Sequence, residues 1–435
     1  MNLRELKSRV CKVIDDQQEK IISFAKASEK TPELGFKEYK TAELTINFLQ
    51  DLNLACREGL AITGLKAKLK ESAAGPNLAV LGELDAVLCP GSDKADPQTG
   101  AAHACGHNLQ LAAMAGTALG LKSAEISEYL DGNVIFMGVP AEEYVEIEYR
   151  AKLRQEGKIH FLGGKQELIY RGEFDDVDLA MMVHSLKNCP RGAVAIGESS
   201  NGFIGKTIRY KGKEAHAAEA PEQGVNALNA AMLGLMGIHA LRETFRDQDI
   251  VRVHPIITKG GDLVNSVPAD VRLETYVRAK TMEAIDAAHQ KVDRALKAGG
   301  DAIGAQTYIN TIPGYLPLSC PQAFNEIFVN NAREFIPEER IIHSGHFGAS
   351  TDMGDVSHLL PAIHPFVGGV RGSLHASDFA VSDYYAACVL PAKIMAMTAI
   401  DLLGDGAQKA RTILSTHRPL LSKEQYLKTL ENYFR

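Results

Sequence analysis

Residues 77–87 read NLAVLGELDAV, an apolar run that ends on polar residues. Two other segments have the same form, GNVIFMGVPAEE at 132–143 and VDLAMMVHS at 177–185. Short apolar runs that alternate with helical patterns are typical of buried strands in a largely parallel sheet. The first two hundred residues therefore predict an α/β catalytic domain whose mixed, mostly parallel sheet is flanked by helices.

Polar residues stand where each of these predicted strands ends. Asp85 follows the first run, Glu142 and Glu143 follow the second, and His184 closes the third. In α/β sheets, ligands bind beyond the carboxyl ends of the strands. We therefore expect these four side chains to converge on one rim of the sheet.

A second domain is predicted between residues 196 and 311, where the pattern changes to β-α-β-β-α-β. This order is the ferredoxin-like split pattern, and it makes a compact unit of its own. After Pro313 the α/β rhythm resumes, so the second domain is an insertion into a catalytic domain formed by residues 1–195 and 312–435. The predicted elements are strand 206–212, helix 221–243, strand 251–260, strand 270–279, helix 281–298, strand 305–312 and, at the end of the chain, a helix around 423–433.

Length and composition narrow the class of protein. At 435 residues the chain is too long for one ordinary core, and a net charge of −7 without a basic block argues against nucleic-acid binding. No signal peptide and no continuous apolar run of membrane-spanning length are expected. The same charge balance favours a small-molecule substrate. Seven scattered cysteines do not suggest a disulfide framework, which favours the cytoplasm.

The segment HACGHNLQ at 103–110 holds the first candidate metal ligands. A thiolate at Cys105 and an imidazole at His107 suit zinc or a neighbouring transition metal. The same residues also permit a cysteine nucleophile with a histidine base, or simple packing at a helix start. Alone, this motif does not decide between them.

Glu142 and Glu143 are adjacent at a strand end, so their side chains point in opposite directions. One carboxylate can bind a metal while the other faces a water molecule. His184 and His375 are lone histidines, each of which is equally compatible with a structural role. Together with Cys105 and His107, these residues would fill a site for two metal ions.

Seven motifs, taken in order, resemble the aminoacylase and carboxypeptidase family of two-metal amidohydrolases. The resemblance covers nearly the whole chain and is strongest to the branch that holds hippurate, indole-acetyl-amino-acid and aminobenzoyl-glutamate hydrolases. GASTDMGDVSHLLPAIHP (348–365) further resembles the aminobenzoyl-glutamate hydrolase and β-alanyl-lysine dipeptidase side of this branch. The seven motifs are PELGFKEYKTAE (32–43), GELDAV (82–87), HACGHN (103–108), PAEE (140–143), FDDVDLAMMVHS (174–185), GKEAHAAEAPEQGVNALNA (212–230) and LHASDF (374–379).

The resemblance implies the roles of the catalytic-domain residues. Two divalent metals, zinc or manganese with cobalt also used by relatives, would activate a water, and Glu142 would act as its general base. Asp85 would orient His107 by a hydrogen bond. The implied metal ligands are Cys105, His107, Glu143, His184 and His375.

The resemblance also assigns roles within the inserted domain, which acts as a lid and dimerisation domain. His216 would reach the scissile carbonyl in the site of a partner protomer and stabilise the developing oxyanion, which implies a homodimer. Asn265 and Arg278 would bind the substrate's carboxylate or main-chain polar groups, and an arginine offers a planar fork for such an anion.

The predicted function is hydrolysis of an amide bond whose amine side is an amino acid. The candidate substrates are N-acyl amino acids, aminobenzoyl-glutamate-like conjugates and small dipeptides. Two alternatives remain at this point, a cysteine-dependent hydrolase using Cys105 and a non-catalytic binding or dimerisation protein on the same scaffold. The sequence departs from the family pattern at Glu83, where most relatives carry Asp or His, and in the charged insertion at 144–165, so the roles of Glu83, His103 and this insertion stay open.

Overall fold

The structure is a computed structural model that describes residues 1–72, 74–186 and 193–434. Its α-helices are α1 (Leu3–Asp16), α2 (Gln18–Glu29), α3 (Tyr39–Asp51), α4 (His107–Ser123), α5 (Ile147–Gln155), α6 (Gly164–Tyr170), α7 (Ala227–Ala240), α8 (Met282–Ile303), α9 (Gln322–Ala332), α10 (Met353–Leu359), α11 (Leu390–Leu403), α12 (Gln408–Thr416) and α13 (Lys423–Glu431).

The strands are β1 (Cys56–Leu60), β2 (Gly64–Lys68), β3 (Asn77–Glu83), β4 (Val87–Leu88), β5 (Ala101–Ala102), β6 (Asn133–Val139), β7 (Leu179–Met181), β8 (His184–Ser185), β9 (Val194–Ser200), β10 (Gly202–Lys211), β11 (Arg252–Val253), β12 (Ile256–Lys259), β13 (Asp270–Ala279), β14 (Gln306–Pro313), β15 (Ile341–Phe347), β16 (Ala362–Ile363), β17 (Phe366–Val367), β18 (Val370–Arg371) and β19 (Ala380–Val381).

The chain divides into two units, and each is described by itself. Unit 1 comprises Met1–Glu198, Ser319–Gly345 and Asp355–Leu420. Unit 2 comprises Ser199–Leu318, His346–Gly354 and Leu421–Arg435. The boundaries predicted from the sequence, with an insertion at 196–311, stay a prediction.

The main sheet of unit 1 has the order β1-β2-β6-β3-β7-β16. β6, β3, β7 and β16 run parallel to one another, and β2, which is antiparallel to both β6 and β1, extends one edge together with β1. β6 is buried along its whole length, as the apolar run at 134–139 predicts for a central parallel strand. The predicted α/β class with a mixed, mostly parallel sheet is confirmed.

Helix α4 packs against β3 and against the helices α1, α2 and α11. Residues 107–121 of this helix are all buried, because the helix carries small and apolar side chains on every face. This helix begins at His107, and Gly106 precedes it with a φ of 84°. A side chain at Gly106 would meet the Ser185 hydroxyl at 2.8 Å, so the approach of this turn to β8 requires glycine.

One helical stretch in the described part of the chain, Tyr385–Leu403, is long and apolar enough to cross a membrane by length and composition alone. Its mean hydropathy is 1.7, but it includes Lys393 and Asp401 and so is not a continuous apolar run. All of this stretch is buried inside unit 1. It is therefore a core helix.

Unit 2 contains an antiparallel sheet in the order β11-β13-β10-β14, with β12 also paired to β13. Helices α7 and α8 pack against each other and against this sheet, which gives the predicted ferredoxin-like arrangement. The predicted strand 251–260 is wrong in one respect, because it is divided into β11 and β12. Pro255 lies at the break, and proline cannot donate a ladder hydrogen bond.

The predicted helix 221–243 is also too long. Residues Pro221–Gln223 form a single 3₁₀ turn, and α7 begins only after Asn226. The Asn226 side chain accepts a hydrogen bond from the backbone N–H of Asn229, which is the usual cap of a helix start. The Asn226 cap therefore sets the start of α7 at Ala227, whereas periodicity alone places the start six residues earlier, at 221.

Candidate metal centre

The carboxyl ends of three neighbouring strands form the floor of the candidate site. β3 lies between β6 and β7 and runs parallel to both, so the residues that follow these strands meet at one edge. Asp85 follows β3, Glu142 and Glu143 follow β6, and His184 begins β8. The structure thus brings together the four side chains that the sequence places at strand ends.

Cys105 lies at the centre of the cluster. Its Sγ atom is 3.4 Å from Nε2 of His184 and 3.3 Å from Nε2 of His375. His375 Nε2 lies 3.0 Å from Oε1 of Glu143. Four residues that are far apart in the chain therefore meet around one sulfur atom.

Two sets of potential ligands share this sulfur. Cys105, His107 and His184 form one set, whose ligand atoms all lie within 4.8 Å of one another. Cys105, Glu143 and His375 form the other by the same criterion. The sharing of Cys105 fits a thiolate that binds two cations at once.

The ring nitrogens of the two buried histidines are oriented for ligation. Nδ1 of His107 donates to the backbone carbonyl of Asp85 at 2.9 Å and lies 3.2 Å from Oδ1 of that residue. Nδ1 of His184 donates to the Ser185 carbonyl oxygen at 2.8 Å. Each Nε2 atom is thereby left as a lone-pair donor that faces the cluster.

Asp85 connects the two ligand sets. Its Oδ1 lies beside His107, and its Oδ2 accepts a hydrogen bond from the backbone N–H of Glu143 at 2.8 Å. The side chain is completely buried. Asp85 therefore contacts the His107 ring and holds the backbone of Glu143.

The residues present fit a pair of divalent cations. Nε2 of His107 is buried and has no hydrogen-bond partner among the described residues, which is costly for a polar atom unless something binds it. One thiolate, three imidazoles and carboxylate oxygens are the ligand types that zinc and similar ions prefer. Both observations indicate a metal centre.

Glu142 lies close to His107. Its Oε2 is 3.8 Å from Nε2 of His107, and 9% of the residue is exposed. The carboxylate belongs to neither Cys105 set, but together with Glu83 and His107 it forms a third set of potential ligands. This position suits a base that acts on a molecule next to the ligands.

The turn that carries the two glutamates is held from several sides. Ala141 has a φ of 54°, an unfavourable conformation for a residue with a Cβ atom. Its N–H donates to Glu38 at 2.7 Å, and its carbonyl accepts from Arg150 at 3.1 Å. Arg150 also donates to the carbonyl oxygens of Leu162 and Glu143. These contacts support a strained backbone at the site.

Arg150 belongs to α5, inside the insertion at 144–165 whose role the sequence left open. It is 1% exposed, although arginine is among the residues least often buried. Gly164 lies near the end of the insertion, and a Cβ atom there would lie 1.6 Å from the Pro140 carbonyl oxygen. The insertion thus packs against the Pro140–Glu143 turn and supports it.

Electrostatic effects in the cluster favour a thiolate. Burial and the neighbouring Glu143 oppose ionisation of Cys105, but His184 and His107 outweigh them and lower the pKa of the thiol to about 6. Hydrogen bonds to Cys105 and Glu143 raise the pKa of His375 to about 11.

Two further titratable residues are buried beside the centre. Burial, and then the charge of Asp85, raises the pKa of Glu38 to about 7. Burial, and then the charge of His107, lowers the pKa of His103 to about 3, so its ring is neutral. His103 belongs to none of the ligand sets found in the described residues.

The three residues assigned to the lid lie in unit 2. His216 is exposed and pairs with Ser266 in a single β-bridge, and its Nδ1 accepts from the N–H groups of Ala218 and Glu219. Asn265 is exposed, and its backbone oxygen accepts from Ala217. The structure therefore brings His216 and Asn265 together.

Arg278 is the third lid residue, and it lies near the end of β13. Its guanidinium group lies 5.5 Å from the ring centres of Phe203 and Tyr276. Stacking on two aromatic faces holds the planar group in one orientation.

Two charged residues lie close to His107: Glu83, whose role the sequence left open, and Lys165, which sequence reasoning missed. Glu83 Oε2 lies 3.2 Å from Nε2 of His107, and Glu83 Oε1 accepts a hydrogen bond from Lys165 at 2.6 Å. Lys165 is completely buried at the start of α6. In the sequence, the departure from the family pattern at Glu83 indicates that this residue is unusual. Lys165 follows two glycines, and nothing in that pattern indicates that it is buried.

Comparison with known proteins gives matches to both the lid and the whole chain. The sequence profile of the M20 peptidase dimerisation domain matches residues 199–302. The Xaa-Arg dipeptidase of Mus musculus is 32% identical over 426 residues, which cover 92% of this chain and 90% of that protein. One of the p-aminobenzoyl-glutamate hydrolase polypeptides of Escherichia coli is 28% identical over 303 residues, covering 65% of this chain and 64% of that polypeptide.

Among solved structures, the YXEP protein of Bacillus subtilis is described as a dinuclear metal binding peptidase of the M20 family. The match has a TM-score of 0.66 and covers 89% of this chain and 99% of that one. At 20% identity, this similarity shows a shared fold.

Proposed function

Because this chain belongs to the M20 family and is a metal-dependent amidohydrolase, we propose that it hydrolyses amides whose amine side is an amino acid, with Glu142 as the base. The family and the enzyme class confirm the expectations drawn from the sequence motifs. The proposal extends them to individual residues and to a substrate class.

One observation carries the assignment of the metal ligands. Five side chains from distant parts of the chain form two sets of potential ligands, and Cys105 belongs to both sets. We assign Cys105, His107 and His184 to one cation, and Cys105, Glu143 and His375 to the other. The cations would be zinc or manganese, with cobalt as a further choice, because the set mixes a thiolate with imidazoles and a carboxylate.

A pair of bound cations polarises an amide carbonyl and lowers the pKa of water. The residues of the chain supply the remaining steps. Glu142 accepts the proton of the attacking water, and then delivers that proton to the nitrogen of the leaving amine. Asp85 keeps His107 in the tautomer that ligation needs, and so acts as a positioning residue.

The proposed substrates are dipeptides and N-acyl amino acids with a free carboxylate. The relatives support this choice, since one is named a dipeptidase that acts on Xaa-Arg and another a hydrolase of p-aminobenzoyl-glutamate. Arg278 would bind the substrate carboxylate through its planar fork, and Asn265 would bind main-chain polar groups. The proposed location is the cytoplasm, which agrees with the free state of the six described cysteines.

We also propose a homodimer formed through the dimerisation domain. Helix α7 exposes Met232, Leu233 and Met236, with relative exposures between 39% and 65%. An apolar stripe of this kind is typical of a surface that another protein covers. In the dimer, His216 of one protomer would stabilise the oxyanion in the site of its partner.

The test of this function is an amidase screen over dipeptides, hippuryl, N-acetyl and aminobenzoyl amino acids. We expect hydrolysis of substrates with a free carboxylate, and a KM that rises about 10- to 100-fold in Arg278→Ala, since a charge-assisted hydrogen bond is lost. Methyl esters of the same substrates should show little change between this variant and the wild type.

Arg272→Ala is the matched control, because Arg272 lies on the same strand and pairs with Asp270 on the surface. Hydrolysis of none of the four substrate classes would refute the proposed function. An equal effect of Arg272→Ala and Arg278→Ala would refute the role of Arg278.

The trans role of His216 can be tested by mixing two inactive variants, Glu142→Gln and His216→Ala. A mixed dimer contains one site with both residues intact if His216 acts across the dimer, and none if it acts within its own chain. Random mixing should then restore about a quarter of wild-type activity in the trans case. Absence of recovery, with mixed dimers shown by differential tagging, would refute it.

A further inference from the structure

The carboxylate of Glu38 holds the backbone next to the proposed base. Glu38 is the residue that precedes α3, but its side chain does not cap this helix. Its Oε1 accepts instead from the backbone N–H of Ala141, 103 residues further along the chain, at 2.7 Å. Ala141 directly precedes Glu142. The contact therefore joins the start of a helix to the peptide that leads into Glu142.

The other oxygen of the Glu38 carboxylate is also fixed. Oε2 accepts from the Thr63 hydroxyl at 2.6 Å, and the Glu38 side chain is completely buried. A buried carboxylate is costly unless hydrogen bonds satisfy it, and here each oxygen has its own donor. The side chain is thus held in the orientation in which Oε1 faces Ala141.

The conformation of Ala141 makes this support necessary. Its φ of 54° costs free energy for a residue with a Cβ atom, and it persists only where surrounding contacts impose it. Glu38 holds the N–H of Ala141, and Arg150 holds its carbonyl oxygen at 3.1 Å. Gly35 approaches so closely that a Cβ atom there would lie 2.9 Å from Cα of Ala141. These contacts fix the direction in which the chain enters Glu142.

We propose that Glu38 is a positioning residue for Glu142 and acts through the N–H of Ala141. The Oε2 atom of Glu142 lies 3.8 Å from Nε2 of His107, at the edge of the ligand sets. Rotation of the Ala141 backbone to a negative φ would move the Glu142 side chain away from this place. A displacement of about 1 Å at a reacting group can lower a rate about 100-fold. The inference rests on the proposed role of Glu142 as the base.

Glu38→Gln tests the positioning role directly. The amide has one oxygen, so in the observed geometry either Thr63 or Ala141 would face an NH₂ group, which cannot accept a hydrogen bond. We expect kcat to fall about 10- to 100-fold, with KM changed less than about threefold and both metal ions retained. Measurement of kcat, KM and metal content on one preparation checks all three. Wild-type kcat in Glu38→Gln would overturn the proposal.

A double variant separates positioning of Glu142 from general support of the site. In Glu142→Gln the positioned carboxylate is absent, so adding Glu38→Gln should lower kcat by less than about twofold further. An equal fold loss in the wild-type and Glu142→Gln backgrounds would overturn the proposal and leave Glu142 as the base. Full activity of Glu142→Gln would instead refute the base itself and this inference with it, so the two failures are distinguishable.

Thr63→Val is a milder variant that keeps the Glu38 carboxylate. Valine has nearly the shape of threonine but lacks the hydroxyl that donates to Oε2. We expect kcat to fall about 3- to 10-fold with KM unchanged, because the carboxylate loses one hydrogen bond but still reaches Ala141. The same fall in the Glu142→Gln background would count against an action through Glu142.

Asp401→Asn is the matched control. Asp401 is another buried carboxylate, and it accepts from Lys409 at 2.8 Å and from Asn331 at 2.9 Å, outside the ligand sets. Its substitution should lower Tm but change kcat by less than about twofold, because distant sites act independently. A fall in kcat as large as that in Glu38→Gln would show that any lost buried carboxylate has this effect, and would overturn the positioning role.

Discussion

Replacing Glu142 by Gln is expected to lower kcat about 100- to 10,000-fold while leaving both metal ions bound. The amide has nearly the shape of the carboxylate but cannot accept the proton of the attacking water. Glu142 shares a set of potential ligands with Glu83 and His107, but it belongs to neither of the two Cys105 sets to which the ions are assigned, so its loss should not release the ions. Metal content and kcat, measured on the same preparation, check both parts of this expectation.

Glu146→Gln is the control for this variant. Glu146 lies four residues along the chain and pairs with Lys37 at 2.8 Å, outside the ligand sets. Its substitution should change kcat by less than about twofold, as is usual for a surface ion pair. Full activity in a metal-loaded Glu142→Gln enzyme would show that another group is the base.

Removal of metal by a chelator is expected to abolish hydrolysis, and added zinc or manganese to restore it. The reason is that the polarisation of the carbonyl and the lowered pKa of water both come from the cations. Activity measured after dialysis against a chelator, and again after addition of each metal, tests this directly. The metal that restores the most activity would also identify the preferred cation.

The same experiment separates this account from a cysteine hydrolase. The lowered pKa of Cys105 and its contact with two imidazoles would also suit a nucleophile, so an alkylating agent is the informative comparison. Bound cations should protect Cys105 from alkylation, and chelation should expose it. Activity that survives chelation but is lost to the alkylating agent would support the nucleophile instead.

The polar residues at strand ends were predictable because parallel strands obey a simple rule. A buried apolar run followed by Asp85, by Glu142 and Glu143, or by His184 places these residues on one edge once the strands are adjacent. The convergence of Cys105 and His375 on that edge was not predictable from spacing, since 270 residues separate them along the chain. The order of the family motifs supplied this pairing.

The supporting residues could not be predicted, because their roles depend on tertiary contacts alone. Arg150 and Lys165 look like ordinary surface charges in a charged segment, and both are buried. Their partners are backbone carbonyls and Glu83, which no local pattern identifies. The predicted strand 251–260 was wrong for a local reason that the sequence does show. Pro255 has no backbone N–H and cannot donate a ladder hydrogen bond, so the strand is divided there.

The most direct test of the two-metal centre is a crystal structure of the zinc- or manganese-loaded protein with anomalous diffraction data. Two anomalous peaks are predicted per chain, both about 2.3 Å from Sγ of Cys105 if zinc is bound. One should contact His107 and His184, and the other Glu143 and His375. A single peak, or ions bound away from these side chains, would contradict the account.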